Sequence, residues 1–438
     1  MHRYPMNIDR RRFLLGSGAL AASAALPGVL FAQTGGSARL VVVILRGALD
    51  GLAAVPPYAD PDYAQLHREL AIAAPGTADG ALALDGTFGL HPSFAFLHER
   101  YLAGEVVVFD AVASPYRDRS HFDGQNVLEN GLTKPIGTAD GWLNRALAAL
   151  PHSAGRRGER AVAISQNVPL ILRGEAPVIS KSPQATPDVD EELLARLADL
   201  YSQDDWFSAR LSEAVQTEKM ADQGGTPADM AAGAQPAMAI SPAPGAQSTV
   251  ATSPGDANAA AVKPAAPDRV SGVAHMAGIL MRSEGGPEVA VIEASGWDTH
   301  ANQGGAKGAL AQRLAGLDRA LRALKDELGP LWPQTAVLVV TEFGRTAAMN
   351  GTRGTDHGTG GCAFLLGGAV RGGRVVADWP GLARAALLDS RDLRPTLDLR
   401  SVFKGVLDEH MHVDAKTLAN RIFPDSSGAR PLQGLMRA

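Results

Sequence analysis

Leu40-Val-Val-Val-Ile-Leu45-Arg46-Gly-Ala-Leu-Asp50-Gly51 is the stretch that decides the fold. The apolar run lacks the polar alternation of a half-exposed strand. It reads as a strand buried on both faces, as in a parallel sheet. It ends on a cation, a glycine and a carboxylate. In open α/β sheets ligands bind beyond the carboxyl ends of the strands, so Arg46 and Asp50 stand where a site would be built. Val106–Phe109, Val289–Glu293, Ala336–Thr341 and Cys362–Leu366 have the same character, and Ala161–Ile164, Leu170–Leu172 and Val178–Ile179 are weaker strands. Helical patterns fall between them, at Pro92–Ala103, Asp140–Leu150, Asp190–Glu218, Ala306–Leu328 and Leu399–Glu409. The clearest carries Leu310, Leu314, Leu317, Leu321, Leu324 and Leu328 on one stripe. Alternating strands and helices predict an α/β fold with a largely parallel central sheet. Gly367-Gly368 and Gly372-Gly373 read as a hairpin.

The other strand exits repeat the pattern of the first. Val289–Glu293 leads to Gly296-Trp-Asp298-Thr-His300. Ala336–Thr341 leads to Glu342-Phe-Gly-Arg345-Thr346. Gly354-Thr-Asp356-His357-Gly358 precedes Cys362–Leu366. Carboxylates and imidazoles are the oxygen and nitrogen donors that zinc, manganese, magnesium or calcium accept. Asp50, Asp298, His300, Glu342, Asp356 and His357 are therefore the expected metal ligands. Each alone has a plainer reading, as a turn, a helix cap or a surface ion pair. After Val106–Phe109 comes Arg117-Asp-Arg119-Ser120-His121-Phe122. Ser120 with His121 beside it reads as a nucleophile and its catalytic partner. Arg46, Arg117, Arg119 and Arg345 suit bidentate binding of an anionic group. Ser120 reads equally well as a helix cap.

Composition narrows the function classes. The 438 residues include 48 Gly, 28 Pro and one Cys, with a formal net charge of −5. One cysteine excludes an intramolecular disulfide and a zinc site built from several thiolates. The basic residues Arg3, Arg10, Arg11 and Arg12 face only Asp9 in the first 32 residues, so the rest is more acidic than the whole. That argues against non-specific nucleic-acid binding. Arg10-Arg11-Arg12-Phe13-Leu14, followed by a weakly apolar run to Ala32, reads as a twin-arginine export signal. A periplasmic or secreted protein with no membrane anchor after processing is expected. Residues 221–268 hold 16 Ala, 7 Pro and 5 Gly with no aromatic residue. Such a segment cannot bury enough apolar surface to fold. It is expected as an insertion in a single domain formed by residues 33–220 and 269–438, because candidate site residues lie on both sides of it and a long loop adds little closure entropy. No nucleophile elbow or Walker A loop occurs.

Together, Arg46-Gly-Ala-Leu-Asp50-Gly, Arg119-Ser-His-Phe122, Gly296-Trp-Asp-Thr-His300, Glu342-Phe-Gly-Arg-Thr346 and Gly354-Thr-Asp-His-Gly358 resemble the bacterial domain-of-unknown-function 1501 family. That family is similar to the alkaline phosphatase and sulfatase superfamily. The resemblance implies a three-layer α/β/α fold with a central sheet, a two-metal site, and hydrolysis of phosphate or sulfate esters through a Ser, Thr or modified Cys. By position, Asp50 resembles the first-strand metal carboxylate, and Ser120 falls at the nucleophile. Asp298 and His300 resemble the pair holding one metal, and His357 the late ligand. The sequence departs from the pattern where Phe343, not His, follows Glu342, and where only one residue separates Asp298 from His300. Cys362 lies away from the nucleophile position, so a modified cysteine is not expected. The expectation is a metal-dependent hydrolase of a small anionic ester, or of a sulfated or phosphorylated polymer. The alternative, suggested by the departure at Phe343, is a non-catalytic binding or assembly protein with a co-exported partner.

Overall fold

The computed structural model describes residues 38–151, 159–182 and 269–437. The export segment 1–32, the insertion 221–268 and the helix expected at Asp190–Glu218 lie outside the described residues.

The protein is mixed α/β with a large, mostly parallel central sheet. Its strands are β1 (Arg39–Arg46), β2 (Val106–Ala113), β3 (Ala161–Ile164), β4 (Val178–Ser180), β5 (Val289–Ser295), β6 (Thr335–Thr341), β7 (Gly361–Leu366), β8 (Arg374–Val376) and β9 (Leu397–Asp398). Their order is β8-β2-β7-β6-β1-β5-β3-β4, with β9 also paired to β2. Every pairing is parallel except the two made by β7, which runs against β6 and β2. The continuous apolar runs are the buried strands expected: β2, β6 and β7 are buried at every position.

Alternate residues of β1 enter two apolar clusters, as a pleated strand buried on both faces requires. Val41, Val43 and Leu45 pack with residues of helices α1 (Ala95–Leu102), α4 (Arg269–Arg282) and α5 (Ala309–Leu328). Leu40, Val42 and Ile44 pack with α3 (Trp142–Ala149) and α6 (Leu399–Glu409). Helix α2 (His121–Asn130) adds Leu128 to the second cluster. The leucine stripe of α5 is buried throughout. Asp318 of α5 also accepts from the backbone N–H groups of Phe96 and Leu97, both at 2.9 Å. It thereby satisfies free N–H groups in the first turn of α1, whose own N-cap residue, Phe94, offers no side-chain bond.

Two local expectations are corrected. Leu170–Leu172 is a 3₁₀ turn following Pro169, with Ile171 and Leu172 buried and no place in the sheet. The Gly367/Gly372 segment makes no hairpin: β8 pairs in parallel with β2 instead. Strand β7 already has β2 and β6 on its two edges, so the returning chain reaches the free edge of β2.

Strand β2 shifts register between Phe109 and Val112, and Ala111 adopts φ +50° there. This bulge holds Asp110, which is fully buried. Its Oδ1 accepts from the N–H of Ala111, and its Oδ2 has no partner. Burial pushes the carboxyl well above its ordinary value. The unfolded-state carboxyl ionises near pH 3.9, so above that pH the folded state binds the extra proton. Stability should then fall as pH rises, up to the folded value, by at most about 1.4 kcal/mol per pH unit. Asp110→Asn should remove this slope. Denaturant midpoints at pH 4, 6 and 8 check it, and an unchanged slope in the variant would contradict it.

Candidate metal centre

Strands β6, β1 and β5 are adjacent and parallel, so their carboxyl ends reach one edge of the sheet. Strand β7 runs against them, and its lead-in, Gly354–Gly358, arrives at that same edge. Helix α2 starts just after the exit of β2. Close backbone approach is part of the design. Gly47 has φ +117°, and a Cβ there would lie 2.7 Å from the Asp298 nitrogen. A Cβ on Gly358 would lie 2.3 Å from the Arg345 carbonyl carbon.

Three imidazoles meet at this edge. The Nε2 atoms of His121 and His300 each lie 2.9 Å from Nε2 of His357. Asp298 joins them: Oδ1 is 2.9 Å from His300 Nε2 and 3.3 Å from His357 Nε2, and Oδ2 is 3.5 Å from His121 Nε2. The ligand atoms of His121, Asp298 and His357 all fall within 4.8 Å of one another. The separations of 2.9, 3.3 and 3.5 Å among these three side chains bracket the roughly 3.3 Å edge of a tetrahedron with zinc bonds of about 2.0–2.1 Å, and His300 stands outside that group.

The opposite ring nitrogens fix the tautomers. His121 Nδ1 donates to Glu342 Oε1 at 2.8 Å, His300 Nδ1 to Asp356 Oδ1 at 3.0 Å, and His357 Nδ1 to the carbonyl of Arg119 at 2.9 Å. Neutral rings held this way turn their Nε2 lone pairs toward His357 and Asp298, and a cation among His121, Asp298 and His357 would relieve the 2.9 Å contact between those two imidazoles. An acceptor behind each ligating imidazole is the usual outer arrangement of a metal site. The four side chains are also wet: Asp298 is 41% exposed and His300 42%. Three donors within reach of one another leave a fourth tetrahedral position for an incoming ligand, as in a catalytic site.

The surrounding groups tune the charges. Burial alone would raise the Asp298 carboxyl. The Arg345 guanidinium, 2.6 Å away, and the nearby imidazoles outweigh it and hold Asp298 below its ordinary value. The bond to Glu342 keeps His121 above its usual value, whereas burial and the neighbouring His121 pull His357 below. Glu342 is buried and takes up four donors: His121 Nδ1, Gly47 N and Gln125 Nε2 on Oε1, and Thr341 Oγ1 on Oε2. Burial would raise its carboxyl too, but those bonds, led by the one from His121, leave it lowered.

The sequence-expected residues divide into those that meet and those that do not. Asp298, His300 and His357 meet. His121, expected as the partner of Ser120, meets them as a fourth donor. Glu342 and Asp356 stand one step behind, each against an imidazole. Asp50 is engaged elsewhere: it caps the short helix Gly51–Ala54 through Ala53 N, accepts from Gln303 Nε2 at 2.7 Å, and lies 3.5 Å from the buried His67. Its link to the centre is indirect, through Thr355, which sits 3.4 Å from Asp50 and 3.2 Å from Arg345 Nε. Ser120 occupies the N-cap position of α2, its hydroxyl makes no capping bond, and its N–H donates to Tyr116 Oη at 3.1 Å.

The four arginines are committed within the protein. Arg46 pairs with Glu129 and Glu293. Arg117 donates to the carbonyls of Ser114 and Tyr116. Arg119 pairs with Asp389 and Asp392. Arg345, with its side chain 0% exposed, holds Asp298 and Thr355. Arg119 contributes through its backbone: at φ +61° it aims its carbonyl at His357. His67 and Gln303 had no signal in sequence, because neither sits at a strand exit or in a repeating pattern.

Fold and site thus define a mixed α/β protein with a histidine–carboxylate cluster at the carboxyl edge of its sheet. The family model described as protein of unknown function (DUF1501) matches residues 105–422, and the chain belongs to that family. No curated protein matches the chain.

Proposed function

We propose that this protein is an exported, metal-dependent hydrolase of a phosphate or sulfate ester, built on a three-layer, alkaline-phosphatase-like α/β/α domain. Two apolar clusters, one against each set of alternate β1 residues, support the layered reading. The domain would comprise residues 33–220 and 269–438 around the 221–268 insertion, with residues 1–32 directing twin-arginine export. Among the described residues no helix is long and apolar enough to cross a membrane.

The observation that carries the proposal is the convergence of His121, Asp298 and His357, whose ligand atoms lie within 4.8 Å of one another, with the Nδ1 protons of both imidazoles already spent. These three side chains would hold the ion, with His300 beside them. Two nitrogens and one oxygen suit zinc or another transition metal better than calcium or magnesium, which prefer all-oxygen shells. When bound, the ion supplies Lewis-acid polarisation of the ester. Ser120, beside His121, is the proposed nucleophile: its oxygen would bond to phosphorus or sulfur as the bond to the ester oxygen breaks, its proton would go to the leaving alkoxide, and water would then cleave the serine ester to release the inorganic anion and restore the hydroxyl. Glu342, Asp356 and the Arg119 carbonyl keep the imidazoles oriented, and Arg345 keeps Asp298 ionised and in place.

The test is turnover of aryl phosphates and aryl sulfates by the mature, zinc-loaded protein. Chelation should abolish release of the aryl alcohol, and Ser120→Ala should lower it at least about 100-fold, within the range expected for losing a catalytic group. Turnover indifferent to both would contradict the proposal.

One observation favours a second reading. Arg46, Arg119 and Arg345 are each paired with a carboxylate of the protein, so their charges are already spent before an anionic substrate arrives. A non-catalytic binding protein with a co-exported partner would be folded and stable without metal, show no turnover, and form a defined complex.

A further inference from the structure

Resting on the metal-hydrolase reading above, we infer that Gln303 is a positioning residue of the metal centre: it ties the loop of Asp298 to the loop of His357, and the buried Asp50 fixes which way its amide points. Gln303 lies between β5 and α5 and is fully buried. Its Oε1 accepts two hydroxyls, from Thr299 Oγ1 at 2.7 Å and Thr355 Oγ1 at 3.0 Å. Thr299 stands between Asp298 and His300, and Thr355 stands two residues before His357. The Thr355 hydroxyl also accepts from Arg345 Nε at 3.2 Å, and the same guanidinium donates to Asp298 Oδ1 at 2.6 Å. One amide oxygen therefore holds both loops. The backbones meet here too: Thr355 N donates to the Thr299 carbonyl at 3.2 Å, and Gln303 N to that of Arg353 at 2.9 Å. A Cβ on Gly354 would lie 2.3 Å from the Thr299 carbonyl oxygen.

The other end of the amide gives Asp50 its part. Gln303 Nε2 donates to Asp50 Oδ2 at 2.7 Å, while Asp50 Oδ1 accepts from Ala53 N at 3.1 Å and so anchors the carboxylate to the exit of β1. Burial would raise this carboxyl, but the nearby His67 and the bonds from Gln303 and Ala53 hold it below its ordinary value. An ionised carboxylate only accepts, so it meets the NH₂ end of the amide and turns the oxygen end to the threonines. Asp50 thereby serves the ion at a distance, through Gln303, instead of as a ligand. In so buried a network each bond broken leaves a polar group unpaired, and the loops must move to find it a partner.

A polarity swap tests this, with zinc affinity read by competition against a chelator. Asp50→Asn leaves one oxygen for two donors, and Gln303→Glu sets two carboxylates face to face. Each should weaken zinc binding at least about tenfold, the lower end of the cost of losing an outer partner. In the double variant Asp50→Asn/Gln303→Glu the introduced amide donates to the introduced carboxylate, which still accepts both hydroxyls. Its affinity should return to within about threefold of the parent, a non-additivity that only coupled residues show. Trp142→Ala, which removes a buried ring packed on Phe403 and Phe423, is the control for stability alone and should leave affinity nearly unchanged. If the single variants do not fold, Thr299→Val decides: losing one hydroxyl should weaken zinc binding about 2–10-fold, and Thr299→Ser should restore it. Single variants or Thr299→Val that bind zinc as the parent does overturn the inference alone. So does a swap no better than its parts, which would make Asp50 a ligand itself. A parent chain that takes up no zinc overturns the metal-hydrolase reading with it.

Discussion

His357→Ala should strip the ion from the protein while leaving the fold intact. His357 is the hub of the cluster: both other imidazoles approach its Nε2 at 2.9 Å, and Asp298 Oδ1 lies 3.3 Å away. Its side chain is partly exposed, so truncation leaves no large buried cavity. Losing an outer-shell partner typically costs 10–100-fold in metal affinity, and losing the hub ligand should cost more than about 100-fold. Glu342→Gln gives the graded control. It keeps the shape but replaces the charged acceptor of the His121 Nδ1 proton with a neutral one, so affinity should fall within the 10–100-fold range. Competition titrations against a zinc chelator measure both. If His357→Ala binds zinc as the parent does, the imidazoles do not hold the ion. Equal losses in the two variants would mean that Glu342 ligates directly.

Trp142→Ala should do the opposite: a large loss of stability with a small change in metal affinity. Trp142 is buried, stacked on Phe403 with centroids 4.7 Å apart and close to Phe423 at 5.5 Å. Its Nε1 donates to the carbonyl of Leu128 at 3.1 Å, which fixes the C-terminal half of α2. Removing a buried Trp typically costs about 3–5 kcal/mol. His121 sits at the other end of α2, so its position depends first on Glu342 and Gly47, not on Trp142. Chemical denaturation of the metal-free protein checks the first part and chelator competition the second. A stability change under 1 kcal/mol would mean that this aromatic cluster is not part of the core. An affinity loss as large as that of His357→Ala would mean that α2 moves as one rigid lever.

Much of the fold was legible because the strands are continuous apolar runs bounded by abrupt polar exits. Leu40–Leu45 and Ala336–Thr341 needed no partner to be read as buried. What escaped was pairing. The hairpin expected at Gly367/Gly372 fails because β7 has no free edge, and a strand's edges are settled by segments far away in sequence. Leu170–Leu172 is apolar enough for a strand, yet Pro169 leads it into a 3₁₀ turn.

The site divides in the same way. Sequence marks the carboxylates and imidazoles at strand exits, but not whether a carboxylate meets the ion or the imidazole behind it. Glu342 and Asp298 look alike in sequence, and the difference lies in what faces them: Glu342 meets the Nδ1 side of His121, whereas Asp298 meets the Nε2 side of three rings. Asp50 was read with the centre because it follows β1. Its actual neighbour, His67, lies in a segment without periodicity. The arginines looked available for an anion because their acids are distant in sequence: Glu293 for Arg46, Asp389 and Asp392 for Arg119.

Metal content decides most. The chain, produced in its native host and purified without chelator, should carry one equivalent of a transition ion by mass spectrometry of the folded protein. Zinc is the expected occupant. The same ion should be absent from His357→Ala. A folded parent protein that carries no ion, and takes up none from micromolar zinc at pH 7.5, would contradict the metal centre and with it the proposed hydrolysis.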